Sequence, residues 1–303
     1  MLTDSATESL HGVPDGFSHD AFVYRDDDEF VQQAAPFLHD GLARNEALLA
    51  ALPPARIAKL RSALGSAADR VTFLDITTVG RNPARIIPLW RDLLDQYAGR
   101  PARGIGEPAY PGRSEAELDE AVLHEALLNV AFESARDFRL LCPYDVSMAT
   151  ASIAENHSGG FEHARVEEAF RTRLPGVPAY GERLEFGLAE LSVVRHWLTA
   201  RARLRGLSGE RLDDLALALH EICTNSIRFG GGRGTLSLWS SDGNLVVDVA
   251  DQGRIDDLLV GRVLPPVDGR GGRGVWLANQ LCDLVQLRSG AGFTQVRLHT
   301  RLS

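Results

Sequence analysis

Glu221 and Asn225 lie four residues apart in Leu215–Ser226, a segment whose apolar residues recur at helical spacing. Both therefore project from one helix face about a turn apart. A carboxylate and an amide oxygen so placed suit Mg²⁺, which takes oxygen ligands, keeps several waters and is usually shared with substrate phosphates. Asp251 and Gly253 follow the strand-like run Leu245–Val249. A carboxylate at a strand end beside a glycine can accept a hydrogen bond from a ligand amine. The string Gly269-Arg270-Gly271-Gly272-Arg273-Gly274 then precedes Val275-Trp276-Leu277. Its backbone N–H groups and the helix start behind it could face phosphates. Taken singly, each feature also has a plainer meaning: a solvated helix face, an Asp-x-Gly turn, a hinge with solvated arginines. The glycine string matches G-x-G-x-x-G as well, but no strand leads into it and no βαβ unit surrounds it. Lys59, the only lysine, lies in a helical stretch without glycine. That excludes a Walker A loop, and it excludes a Schiff-base mechanism on any lysine but Lys59.

The 303 residues suit two domains. Lys+Arg is 32 against Asp+Glu 41, a net charge of −9. No basic face for nucleic acid is expected, nor attraction to an anionic bilayer. No run approaches the roughly 18 apolar residues of a membrane span, and Met1–Ser5 lacks the basic start of a signal peptide. A cytoplasmic location follows as the expectation. Cys142, Cys223 and Cys282 are odd in number and widely spaced, which suits reduced thiols.

Two halves with different element patterns must position the chemistry. In the first, strands (Ala21–Tyr24, Glu46–Leu52, Val71–Ile76, Arg103–Gly106, Phe138–Tyr144) alternate with helices (Glu29–Leu42, Pro53–Leu64, Ala84–Tyr97, Ser114–Ser134). Ser114 and Glu117 form a capping box. Alternation of this kind predicts parallel βαβ units, hence α/β. Turn residues from 159 to 181 suggest a linker. The second half predicts strands at Leu184–Phe186, Thr235–Trp239, Leu245–Val249, Leu284–Leu287 and Thr294–His299. Helices are expected at Val193–Arg205, Gly209–Arg228 (capped by Ser208) and Gly274–Cys282. This is an α+β two-layer sandwich.

Read together and in order, the motifs of residues 182–303 resemble the histidine-kinase-like (GHKL) ATPase fold. Glu221 and Asn225 resemble its N box, Asp251-x-Gly253 its first glycine box, Gly271-Gly272-Arg273-Gly274 its second, and Gly292-Phe293-Thr294 a late element near adenine. The run Val275–Asp283 is similar to that of the anti-sigma-factor serine kinases. The resemblance implies ATP and Mg²⁺ as cofactors. Asn225 would coordinate Mg²⁺, Asp251 would bind the adenine amino group, and Gly253, Gly271, Gly272 and Gly274 would shape the phosphate loop. Arg270 or Arg273 would neutralise charge, and Glu221 would be the general base. Phe229 and Ile255 depart from the family, which often has a polar residue and usually a glycine there. His220 is expected to be structural or exposed.

Residues 17–158 resemble the MEDS sensory domain, a RecA-like α/β module without the P-loop. The matching segments are His19–Tyr24, Gly106-Glu107-Pro108, His124–Asn129 and Leu141–Asp145. Such domains are thought to sense small ligands. Glu107, Glu125, Asn129, Tyr144 and Asp145 could converge where parallel strands end. The spacing of His19, His124 and Cys142 supports no metal site, and core packing is expected for Cys142.

Three functions follow. One is a cytoplasmic kinase that holds a sigma factor and phosphorylates a serine or threonine of a STAS-type anti-anti-sigma partner, with the first half as sensor of a ligand or signal. Another is a catalytically decayed anti-sigma module that works by sequestration. The last is a ligand-sensing first half that uses the second only to dimerise. No direct nucleic-acid or membrane partner is expected, and a homodimer is compatible with all three.

Overall fold

The computed structural model describes residues 16–148, 155–157, 161–265 and 272–302. These form two compact units. One comprises residues up to Gly80 together with Leu89–Glu162, the other Arg81–Pro88 together with His163–Ser303.

The first unit is built on a five-stranded sheet: β1 (Phe17–Tyr24), β2 (Ala47–Leu52), β3 (Thr72–Asp75), β4 (Ala102–Gly106) and β5 (Phe138–Asp145). Its order is β1-β5-β4-β2-β3, and every pairing is parallel. The three inner strands are buried along essentially their whole length, whereas the edge strands β1 and β3 are only partly covered. Continuous burial is what a parallel sheet covered on both faces requires, and the apolar run Ala47–Leu52 meets it. The helices are α1 (Asp27–Ala43), α2 (Pro54–Leu64), α3 (Ile76–Val79), α4 (Ile86–Gln96) and α5 (Glu115–Phe132). Asp26 caps α1 by accepting from the N–H groups of Asp28 and Glu29. Ser114 and Glu117 close the expected capping box on α5. Ile76, expected in β3, instead opens α3, because Asp75 accepts from the N–H and hydroxyl of Thr77 (2.9 and 2.6 Å) and turns the chain.

The second unit has an antiparallel sheet of β6 (Glu182–Gly187), β7 (Arg233–Ser241), β8 (Asn244–Asp251), β9 (Leu284–Gly290) and β10 (Phe293–Arg301), ordered β6-β7-β8-β10-β9. Its helices are α6 (His163–Arg171), α7 (Leu191–Leu204), α8 (Gly209–Phe229) and α9 (Arg273–Leu281). Residues from α7, α8 and α9 share one apolar core with the sheet, including Leu198, Leu215, Leu219, Leu236, Val247, Ala278 and Leu298. Helix α6 lies within the stretch expected as a linker, and its Phe170 is buried in that core. Ser208 occupies the N-cap of α8, but its side chain makes no capping hydrogen bond. Among the described residues no helix is long and apolar enough to cross a membrane.

Candidate functional site

In the second unit, Glu221 and Asn225 both face the first turn of α9. A Cβ added to Gly274 would lie 3.0 Å from Glu221 Oε2 and 3.1 Å from Asn225 Nδ2. A larger residue here would have to push the acid and amide aside, and glycine leaves them turned to the same spot. Gly272 precedes α9 with φ of 85°, a left-handed conformation that favours glycine, and as the N-cap residue it supplies no side-chain cap. The first N–H groups of a helix lie outside its own hydrogen-bond ladder, the arrangement that suits an anion. Arg273 starts this turn and is exposed.

Asp251 ends β8 and accepts from Ser226 Oγ (2.6 Å) on one oxygen and from Gly253 N (2.7 Å) on the other. Each carboxylate oxygen has a second lone pair for a further donor. The backbone of Gly230 runs against this carboxylate, so a Cβ there would lie 2.4 Å from its carbon. A Cβ on Gly253 would lie 2.9 Å from the Phe229 carbonyl oxygen. Thr294 pairs with Asp251 across the sheet and shares a hydrogen bond with Ser289 Oγ (2.9 Å). Ser289 Oγ also accepts from Ile255 N (2.7 Å). Ile255 packs against the core, Phe229 is exposed at the end of α8, and His220 is exposed as expected. Gly269, Arg270 and Gly271 lie outside the described residues. Ser226 and Gly230, which hold Asp251, were not among the sequence candidates; both lie within or just after the helix that carries Glu221.

In the first unit the sensory candidates fall into two groups. Glu107, just past β4, accepts from the hydroxyl of Tyr24 (2.5 Å) at the end of β1. Arg56 donates to the same hydroxyl (3.3 Å), lies 3.8 Å from Asp145 at the end of β5, and pairs with Asp27. Burial raises the Glu107 pKa to about 7, a shift that the Tyr24 hydrogen bond and Arg56 only partly offset. A folded-state pKa above the ordinary 4.5 favours the folded state fully below about pH 4.5, and that stabilisation fades as pH rises toward 7. We expect roughly 3 kcal/mol from this group. Thermal melts at several pH values should show the wild type losing stability between pH 5 and 8 relative to Glu107→Gln, and parallel curves would refute it.

The second group is Glu125 and Asn129 from α5, Tyr144 and Cys142 from β5, His19 from β1, and His157. Tyr144 donates to Glu125 Oε2 (2.7 Å), and His157 Nε2 and His19 Nε2 lie 3.0 and 3.4 Å from the same oxygen. Burial pushes Glu125 upward, but hydrogen bonds and charge from both histidines outweigh it and hold its carboxyl well below the usual range. Cys142 is buried as expected, and the fold brings His19 to it where spacing along the chain gave no sign of a shared site. Parallel pairing of β1 with β5 puts them on one sheet face, with His19 Nε2 3.3 Å from Cys142 Sγ, although 123 positions separate them in the chain. His124, named beside them, is buried on α5 and is not in the cluster.

Both units are similar to known proteins. Residues 18–158 match the family model for the MEDS domain (MEthanogen/methylotroph, DcmR Sensory domain). Residues 184–300 match that for the histidine kinase-like ATPase domain. The serine-protein kinase RsbW of Halalkalibacterium halodurans is 30% identical over 114 residues, which are 34% of this chain and 70% of that protein. The chain belongs to the RsbW family of histidine kinase-like ATPase-domain proteins, and it carries a MEDS domain ahead of the ATPase domain. Among solved structures, the RsbU and RsbW domains of a Mycobacterium tuberculosis protein are 18% identical, with 41% of this chain and 32% of that one covered and a TM-score of 0.31. The SiaB–SiaC complex of Pseudomonas aeruginosa is 15% identical, with 38% and 88% covered and a TM-score of 0.31.

Proposed function

We propose that this protein is an ATP- and Mg²⁺-dependent serine/threonine kinase that acts in the cytoplasm as a partner switch. It phosphorylates a STAS-type anti-anti-sigma protein and holds a sigma factor, with the MEDS domain, a RecA-like module lacking the P-loop, as the input for a ligand or signal. The observation that carries this is the convergence of Glu221 and Asn225 on the first turn of α9. The Asn225 amide oxygen is a hard donor that fits Mg²⁺, the Glu221 carboxylate stands beside it to take a proton, and the start of a helix suits phosphate oxygens.

In this proposal Asp251, fixed by Ser226 and Gly253, accepts from the adenine amine. Asn225 holds the cation, which would draw charge from the β- and γ-phosphates. Glu221 takes the proton of the partner's hydroxyl as its oxygen bonds to the γ-phosphorus and the bond to ADP breaks. Arg273 stands at the phosphate end, and Thr294 supports the adenine end through its place opposite Asp251. Arg270 and Gly271 are proposed for the same loop. Titrating the protein with ATP should raise its melting temperature only when Mg²⁺ is present, and radiolabel should pass to a STAS protein of the same genome. No Mg²⁺-dependent stabilisation would overturn the nucleotide site.

The same packing gives a steric test. Gly274→Val drives two methyl groups toward Glu221 and Asn225. Overpacking of about 1–3 kcal/mol displaces both side chains from that spot, so Mg·ATP should bind measurably more weakly in calorimetry, and unchanged affinity would count against the site.

A second reading, sequestration without chemistry, draws on Ile255. Its side chain packs on the core and its N–H is tied to Ser289, which pins the loop after Asp251. In that case the partner would bind without ever gaining phosphate.

A further inference from the structure

We propose that His19, Glu125, Cys142 and His157 form a binding site for one zinc-class divalent cation in the MEDS domain. The four donor atoms all lie within 4.8 Å of one another, and all four residues are buried. They come from β1, α5, β5 and the short segment 155–157. Three separations are 3.0 Å (His157 Nε2 to Glu125 Oε2), 3.4 Å (His19 Nε2 to Glu125 Oε2) and 3.3 Å (His19 Nε2 to Cys142 Sγ). Bonds of about 2.0–2.3 Å to a tetrahedral zinc put its ligands about 3.3–3.8 Å apart. The cluster is already close to that size.

The surroundings orient the donors. Asn129 Nδ2 donates to the carbonyl of Asn156 (2.7 Å) and lies near those of Glu125 and Ala126 (3.4 and 3.5 Å). Its Oδ1 therefore accepts, and His19 Nδ1, 3.3 Å away, is the donor. In the neutral ring the lone pair of Nε2 then faces the Glu125 carboxylate and the Cys142 sulfur. A lone pair against a buried carboxylate is repulsive unless positive charge lies between them. Two imidazolium rings are a poor answer, since the His19 and His157 centroids are 4.2 Å apart and both residues are buried. One divalent ion satisfies all four groups. Tyr144 fixes one oxygen of Glu125 (2.7 Å), and the other, buried Oε1, has no hydrogen-bond partner among the described residues. A ligating histidine backed by an amide and a ligating carboxylate backed by a hydroxyl are typical outer-shell arrangements.

The donor set also selects the ion. Two imidazoles, a thiolate and a carboxylate suit Zn²⁺ and its tetrahedral neighbours, whereas Mg²⁺ and Ca²⁺ take oxygen. Binding forms a metal–sulfur bond and releases the thiol proton to solvent. This inference is independent of the kinase proposal, because the ATP site has no sulfur ligand.

The test uses the full chain produced in cobalt-supplemented minimal medium. One cobalt per chain is expected by elemental analysis, with the strong visible bands of tetrahedral Co²⁺ and a near-ultraviolet sulfur-to-cobalt band. Cys142→Ser should remove the sulfur band, and Cys223→Ser should leave it intact. Asn129→Ala should weaken retention of the ion against a chelator about 10- to 100-fold. Should the cysteine variant fail to fold, the wild-type spectrum decides alone. A wild type without a stoichiometric tetrahedral spectrum, or a sulfur band that survives Cys142→Ser, would overturn the site.

Discussion

Replacing Glu221 with glutamine should slow phosphate transfer to the partner about 10²–10⁴-fold, the usual contribution of a positioned general base. Mg·ATP affinity should change by no more than about threefold, since a residue that acts on the hydroxyl proton is needed in the transition state and not for nucleotide binding. Glutamine keeps the shape and the contact with Gly274 but cannot take a proton. The fold should tolerate it, because Glu221 is only partly buried while the apolar face of α8, with Leu215, Leu219 and Ile222, carries the packing. Asn225→Ala separates the two roles: it should weaken Mg²⁺-dependent binding of ATP, which Glu221→Gln spares. Single-turnover transfer with radiolabelled ATP, alongside calorimetry, measures both. Equal losses of affinity in the two variants would mean that Glu221 helps hold the cation, and the proton-transfer role would have to be abandoned.

The parts of this molecule legible in its sequence are those whose signal is local. Helix α8 was expected to Arg228 and ends at Phe229, because Leu212 to Cys223 repeat at helical spacing. Of the inner strands of the first unit, β2 and β5 announced themselves as short, largely apolar runs. Glu221 and Asn225 share a face for the same local reason, and their relation to Gly274 was legible through family resemblance. The misses have long-range causes. Ser226 and Gly230 matter through contact with Asp251, which only the folded hairpin of β7 and β8 brings to them. His19 and Cys142 meet through the parallel register of β1 and β5, and His157 reaches them from a short segment beyond β5. Ser208 has the right residue type and the right place, yet its side chain leaves the cap unmade. The segment taken for a linker holds α6, whose Phe170 needed a core that its own sequence does not display.

A buried arginine on β4 was also invisible by pattern, and it should be among the least replaceable side chains of the MEDS domain. Arg103 is fully buried in a strand where an apolar residue would be expected. Its guanidinium donates to both oxygens of Glu46 (2.7 and 3.0 Å), to Asp40 Oδ2 (2.9 Å) and to the carbonyl of Phe37 (2.7 Å), and it lies over the Phe37 ring. All three of its nitrogens donate. Arg103→Leu leaves Glu46 buried without this counter-charge, while Asp40, which is more exposed, keeps Arg44 at 3.0 Å. Removing one partner of such a pair costs about 3–5 kcal/mol, whereas replacing both with apolar residues is often near neutral. The double variant Arg103→Leu/Glu46→Leu should therefore recover much of the loss, giving strongly non-additive denaturant midpoints. Additive losses would show that Glu46 finds another partner or reaches water once Arg103 is gone. The pair would then be a local contact, and the strand's tolerance of a buried charge would have to rest on Asp40 and on the Phe37 carbonyl and ring.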